Sequence, residues 1–185
     1  MNYPVKSISF LNMLIIALSI LIGCGGNGDD DSDILTPAEL IPDDDDIRGW
    51  KRVGPLEKAN DLESLYDIIN GETDIFIDNG FVSGAFQIYG NYTGDTFNFA
   101  QVKIRIYDQG SVENVAKVYD RVSTGIGIPW NGAGIESRID DSDIDSYMAE
   151  FWQRNYFVQV FIDNKTDDAL NVIKLFAVHI SREIG

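Results

Sequence analysis

Residues 97–107 read FNFAQVKIRIY, and within them Val102, Ile104 and Ile106 alternate with Lys103 and Arg105. A period of two sends apolar side chains to one face of an extended strand and charged ones to the other. One face of this strand must be buried while the other is wet. Any fold proposed for the chain has to supply a sheet in which such a strand is half covered.

The neighbouring segments supply it. Residues 49–53 read as a short strand ending near Pro55. Asn60 is placed to cap a helix, with Glu63 three residues on completing a capping box and Leu62, Leu65, Tyr66 and Ile69 at helical spacing. Asn70-Gly71 ends it, Gly71 suiting a left-handed closing residue. Ile75 and Ile77, then Phe81, Phe86, Ile88 and Tyr89, read as two strands about an Asp78-Asn79-Gly80 turn. Ser111 caps a second helix with the stripe Val112, Val115, Ala116, Tyr119 and Val122. The glycine-rich residues 125–134 form a loop, 134–139 a strand, 140–145 an acidic turn, and 147–162 a hairpin folding near Arg154-Asn155. Thr166 caps the last helix, Asp167 and Asp168 complement its dipole, and Leu170, Ile173, Phe176, Ala177 and Ile180 form its buried face. Hairpin-linked strands with three helices between them define an α+β fold, an antiparallel sheet with packed helices. That order is similar to the α/β/α sandwich of the PsbP-like extrinsic photosystem subunits, an analogy of fold that implies no activity.

Ahead of this domain the chain reads as exported. Lys6, an apolar run over residues 8–22 and the small Gly23 have the three-part form of a signal peptide, and the run is too short and too interrupted by Asn12 and Ser19 to span a bilayer. Leu21-Ile22-Gly23-Cys24 resembles the bacterial lipobox. That resemblance implies cleavage after residue 23, lipidation of Cys24, and attachment to a membrane of the bacterial cell envelope, with the leaflet left open. Cys24 is the single cysteine, so the remaining chain has no internal disulfide, thiolate metal ligand or cysteine nucleophile. Residues 24–46 carry nine acids and no base, with Pro37 and Pro42 discouraging helix, and read as a flexible, solvated tether whose few apolar residues include Leu35, Leu40 and Ile41. Residues 47–185 are then one globular domain. It has 21 acidic against 13 basic residues, a net charge of −8, which argues against nucleic acid and against charge-driven adsorption to anionic lipid. The partners expected are the membrane, through the N-terminal lipid, and a protein of the envelope.

Two further stretches resemble an uncharacterised bacterial family of secreted or lipid-anchored proteins. They are residues 69–81, INGETDIFIDNGF, and 106–119, IYDQGSVENVAKVY. Asn79 stands where that family usually has Tyr, Lys117 where it has Gly, and Asn155 where its late hairpin has Gly. Asn tolerates positive φ and so preserves the turn. The resemblance supports the domain limits and implies no chemistry.

Candidate chemical groups are few. His179 is the single histidine and falls among core-facing residues of the last helix, so it reads as structural. The glycines of 125–134 lack the Lys-Ser/Thr of a phosphate loop. Asp141, Asp143 and Asp145 alternate like the oxygen ligands of a calcium loop. However, Ser146 replaces the turn glycine and Trp152 the closing glutamate, which favours a solvated turn. Trp130 in its loop, with Tyr92 and Trp152, could line an aromatic ligand site, or else cover the core edge. Glu72 and Asp74, alternating on a strand, would be the pair for carboxylate-only hydrolysis. The readings that remain are a non-catalytic protein-interaction or assembly domain, a module binding a small molecule, glycan or calcium, and a carboxylate hydrolase.

Overall fold

The computed structural model describes residues 35–71, 73–93, 96–122 and 127–185. The chain divides into two units, Met1–Asp33 and Ile34–Gly185, and the described residues all belong to the second. The expected signal peptide, Cys24, the first part of the tether and Glu72 lie outside the described residues.

Among the described residues there are seven strands and four helices, in the order β1 (Trp50–Ala59), α1 (Leu62–Ile69), α2 (Thr73–Ile77), β2 (Ser83–Thr93), β3 (Thr96–Asp108), α3 (Val112–Val122), β4 (Ile128–Pro129), β5 (Glu136–Asp140), β6 (Tyr147–Gln153), β7 (Tyr156–Ile162) and α4 (Asp167–Ile184). The strands form one antiparallel sheet in the order β1-β2-β3-β7-β6-β5-β4. The α+β reading therefore holds, and the alternation in residues 102–106 is the pleat of β3, which lies between β2 and β7. No helix among the described residues is long and apolar enough to cross a membrane.

Register sorts the side chains onto two faces. Tyr89, Val102, Ile162 and, one rung further along, Gln87, Ile104, Val160, Ala149 and Ile139 share one face. There they join Phe151, Val158 and the stripe Ile173, Phe176, Ala177 and Ile180 of α4 in the larger core cluster. α4 packs on β6 and β7, with its first turn capped by Thr166 Oγ1 accepting from the Ala169 N–H at 3.2 Å. The opposite face carries Phe86, Tyr107, Phe157 and Trp152, which α1, α2 and α3 cover through Leu65, Phe76, Val115, Val118 and Tyr119. Phe76 stacks on Tyr107 with 4.0 Å between ring centroids, a geometry favourable beyond its buried area.

The half of the first face that α4 leaves bare, over β1 and β2, is covered by the stretch expected as tether. Leu40 and Ile41 are 0% and 4% exposed and belong to the larger core, with Leu35 packed against it. The strap is fastened along its length. Tyr156 Oη donates to the Leu35 carbonyl, Tyr89 Oη to the Pro42 carbonyl at 2.5 Å, and Arg52 to the Ile41 and Pro42 carbonyls at 2.9 Å each. The four consecutive aspartates are exposed, yet each has a local partner. Asp43 pairs with Arg52 at 2.9 Å, Asp44 accepts from the Arg52 N–H at 2.8 Å, Asp45 pairs with Lys51 at 3.6 Å, and Asp46 accepts from the Asp43 N–H at 2.7 Å and faces His179 at 3.5 Å. The domain thus begins by Leu35, not at residue 47.

Three local expectations are corrected. Asp61, not Asn60, caps α1, its carboxylate accepting from the Ser64 N–H at 2.8 Å while the Ser64 hydroxyl accepts from the Asp61 N–H at 3.2 Å. These bonds to Ser64 hold the Asp61 carboxyl below its usual range. Asn70 rather than Gly71 takes the left-handed closing position, with φ 50° and ψ 50°. Residues Thr73–Ile77 are the helix α2 and not a strand, so Asp78-Asn79-Gly80 ends a helix instead of turning a hairpin. Asn79 Nδ2 donates to the Ile75 carbonyl at 2.6 Å, and Gly80, at φ 80°, leaves room for the Asn114 side chain, which a Cβ would meet at 2.4 Å.

Candidate functional site

On the helix-covered face, three successive rungs cross the sheet. The first runs Ile88, Lys103, Phe161, Met148. The second runs Glu57, Phe86, Arg105, Gln159, Glu150, Arg138. The third runs Gly84, Tyr107, Phe157, Trp152. The helices close only part of this face. The third rung is buried beneath α2 and α3; the first lies open, with Ile88 37% exposed and Lys103 held 5.3 Å from the Phe161 ring centroid.

The second rung changes character along its length. Arg138 and Glu150 are 7% and 3% exposed. Arg138 Nε donates to Glu150 Oε2 at 2.6 Å, Nη2 approaches the same oxygen at 2.6 Å without hydrogen-bond geometry, and Nη1 donates to the Tyr119 carbonyl at 2.9 Å. The guanidinium also lies 3.9 Å from the Tyr119 ring centroid, and Gln159 Nε2 satisfies Glu150 Oε1 at 2.7 Å. A buried carboxylate with both oxygens engaged and an arginine against it is a structural pair. Burial raises the Tyr119 hydroxyl above its usual range, against the opposing effect of Arg138.

Arg105, next on that rung, is different. It is exposed, and its side chain makes no ion pair or hydrogen bond with any described residue. Three recesses converge on it. The largest, a cleft of about 380 Å³, lies between the end of α1 and the bulge of β1, lined by Val53, Pro55, Ile68, Phe86, Ile88 and the two cations. A smaller hollow is walled by Met148, Gln159 and Phe161, and a third runs beneath Asn70, Phe76 and Val122. The β1 bulge between Val53 and Glu57 makes the first possible: Gly54, at φ 72°, and Pro55 pull the strand out of register. From the opposite face of the sheet Gln87 donates to the Val53 carbonyl at 3.2 Å, while its Oε1 meets no donor.

The residues singled out from sequence fall elsewhere. Trp130 packs against the α4-side core, with Lys174 5.6 Å from its ring centroid. Trp152 is 8% exposed in the opposite core, and Tyr92 lies at the far strand pair, its N–H donating to the Gly49 carbonyl at 2.8 Å. The sheet separates the two tryptophans, so the three aromatics do not form one site. Asp141, Asp143 and Asp145 are exposed, and the turn is organised by Lys165, which donates to the Asp141 carbonyl and, at 2.7 Å, to the Asp143 carbonyl. Asp143 is spent on the Asp145 N–H at 3.0 Å, a bond that lowers its pKa. Among the described residues no group of three or more His, Cys, Asp or Glu side chains is gathered to hold a metal ion. Asp74 opens α2 and is exposed, so it does not sit on a strand as the hydrolase reading required. Arg105 and Lys103 were visible in the sequence only as the wet face of β3. The buried pair had a signal, since Glu150 and Gln159 each interrupt an apolar strand.

No protein-family model and no curated protein sequence matches the chain. Among solved structures it is similar to the extracellular domain of PknH from Mycobacterium tuberculosis, with a TM-score of 0.43 and 11% identity over 80% of this chain and 93% of that one. At that distance the likeness assigns no property to the present chain.

Proposed function

We propose that this chain is an exported, lipid-anchored binding domain of the bacterial cell envelope that works without catalysis, attached through Cys24 and binding over the open rungs of its sheet. The observation that carries the binding reading is Arg105, a cation without a partner among the described residues, at the meeting of three recesses in a protein with 30 acidic against 14 basic residues. Pockets of a few hundred cubic ångströms with an apolar lining and a few placed polar groups are the usual form of ligand sites. The lipobox-like tetrapeptide supports the anchor, and helices on both faces of the sheet support the PsbP-like reading of the architecture.

A photo-crosslinking side chain at position 161, in the wall beside Lys103, tests the binding face in intact cells. It should give a discrete adduct that the same group at Leu175, on α4, does not. Absence of any adduct at 161 refutes the placement. A second reading, a protein partner docked on α1, rests on Leu62 and Tyr66, 50% and 55% exposed on the outer side of that helix beside a shallow recess. A crosslinker at Tyr66 separates it. Replacing Cys24 with Ala should release the chain from the membrane fraction, and retention there refutes the anchor.

A further inference from the structure

The three recesses differ in chemistry, and the difference says what could occupy them. Around Arg105 the charge is positive: Lys103 lies two residues along the same strand face, and Glu150, the nearest rung carboxylate across β7, is neutralised by Arg138. Glu57, the carboxylate in the lining of the large cleft, stands on the same rung as Arg105, two strands away across Phe86 at the sheet edge, and forms no ion pair with either cation. The floor beside the cations is apolar, built from Ile68, Phe86 and Ile88. A group that satisfied only the cations would leave this apolar floor in water. A purely apolar group would leave a desolvated guanidinium unpaired. Both are satisfied by a molecule with a carboxylate at one end and an aliphatic body behind it.

We propose that the cleft between α1 and the β1 bulge binds a free amphipathic carboxylate, its head on Arg105 and Lys103 and its tail along Phe86, Ile88 and Ile68. This rests on the open sheet face being the binding face. Arg105 presents the planar fork that matches a carboxylate, and Lys103 supplies a second charge from the adjacent rung. The tail lies where the register shift of β1 has removed a strand from contact.

Decanoate is the probe, titrated calorimetrically into the full-length chain carrying Cys24→Ala. Saturable one-to-one binding is expected. Arg105→Gln should weaken it about tenfold or more, the loss of one charge-assisted hydrogen bond. Arg182→Gln, on the opposite side of the sheet, should leave it unchanged. Octanoate should bind about tenfold more weakly than decanoate, the loss of two buried methylenes. Inorganic phosphate should bind more weakly still. The exposed Arg105 has no partner to lose among the described residues, so its variant should keep the parent melting temperature, and that is measured alongside.

Equal binding of decanoate by Arg105→Gln, or binding of decyltrimethylammonium as tight as decanoate, overturns the assignment. So does adsorption to phosphatidylglycerol vesicles through Arg105 without binding of monomeric decanoate, which would make the face a membrane contact. If decanoate fails while the crosslinker at 161 still gives its adduct, the occupant is wrong and the binding face stands. If both fail, the binding face falls too.

Discussion

Replacing Leu40 with Ala tests whether the acidic stretch after Cys24 is structure or spacer. Leu40 is completely buried among the side chains of the larger core. The backbone around it cannot follow a shrinking side chain, because the carbonyls of Ile41 and Pro42 are held by Arg52 and Tyr89, and that of Leu35 by Tyr156. A cavity that cannot collapse puts the substitution within the range for buried Leu→Ala changes, about 2–5 kcal/mol. For a domain of this size each kcal/mol moves the melting temperature by about 2–4 °C, so a fall of roughly 5–15 °C is expected in thermal unfolding followed by circular dichroism. Ile144→Ala, at a side chain 85% exposed, is the control and should stay within about 0.5 kcal/mol of the parent. A solvated tether would make Leu40→Ala as silent as that control. A shift under about 1 °C would falsify the docking of the strap.

The buried pair should be strongly non-additive. Arg138→Met or Glu150→Leu alone should cost about 3–5 kcal/mol, and the double variant less than either, because each single change strands a buried charge; urea unfolding of the four proteins measures it. Tyr89 gives a pH signature. Burial, opposed by Arg52, raises its hydroxyl to about 12. The unfolded chain therefore gives up this proton first, the stabilisation is complete below pH 10, and it is lost as pH rises from 10 through about 12. Tyr89→Phe should flatten that part of the stability curve, and an unchanged slope would refute it. Arg154 sits at φ 52° in the β6–β7 turn, a conformation costing a side-chain-bearing residue about 1 kcal/mol or more. Arg154→Gly should raise the urea midpoint slightly, and a fall would show that the Arg154 side chain matters more than its backbone.

Sequence reading succeeds here where a signal is repeated over many residues and fails where one residue decides. The alternation of Val102, Ile104 and Ile106 and the stripe of α4 each rest on several side chains, and tertiary packing leaves them intact. Ile75 and Ile77 offered one alternation, which a single helical turn reproduces once Phe76 is the residue turned inward, against Tyr107. Val112, Leu62 and Tyr66 match their helical stripes yet are half exposed, because α1 and α3 reach only one end of the sheet face. The hairpin at Arg154-Asn155 was legible, but Asn155 does not take the positive φ expected of it; Arg154 does, while Asn155 reaches across to Asp108. The strap misled for an electrostatic reason. Consecutive aspartates repel one another, and the groups that hold Asp43 and Asp44, a guanidinium and a backbone N–H, both belong to Arg52 on the strand that follows.

The unequal cover of the two faces explains why the open one is a credible place for binding. Over β1 and β2 the strap does what a second helix beside α4 would otherwise do, covering the apolar part of that face which α4 does not reach. The opposite face has three helices, yet their apolar residues gather on the third rung. At the far end of the second rung α3 does cover Arg138, through the Tyr119 ring and carbonyl, and there the arginine and Glu150 neutralise each other beneath it. Further along that rung Arg105, and on the next rung Lys103, exclude a helix altogether, since burying two unpaired cations costs more than the apolar area returns. On the β1 side of that rung Glu57 stands two strands away at the sheet edge and pairs with neither cation, which leaves Arg105 as the side chain whose replacement should separate binding from folding.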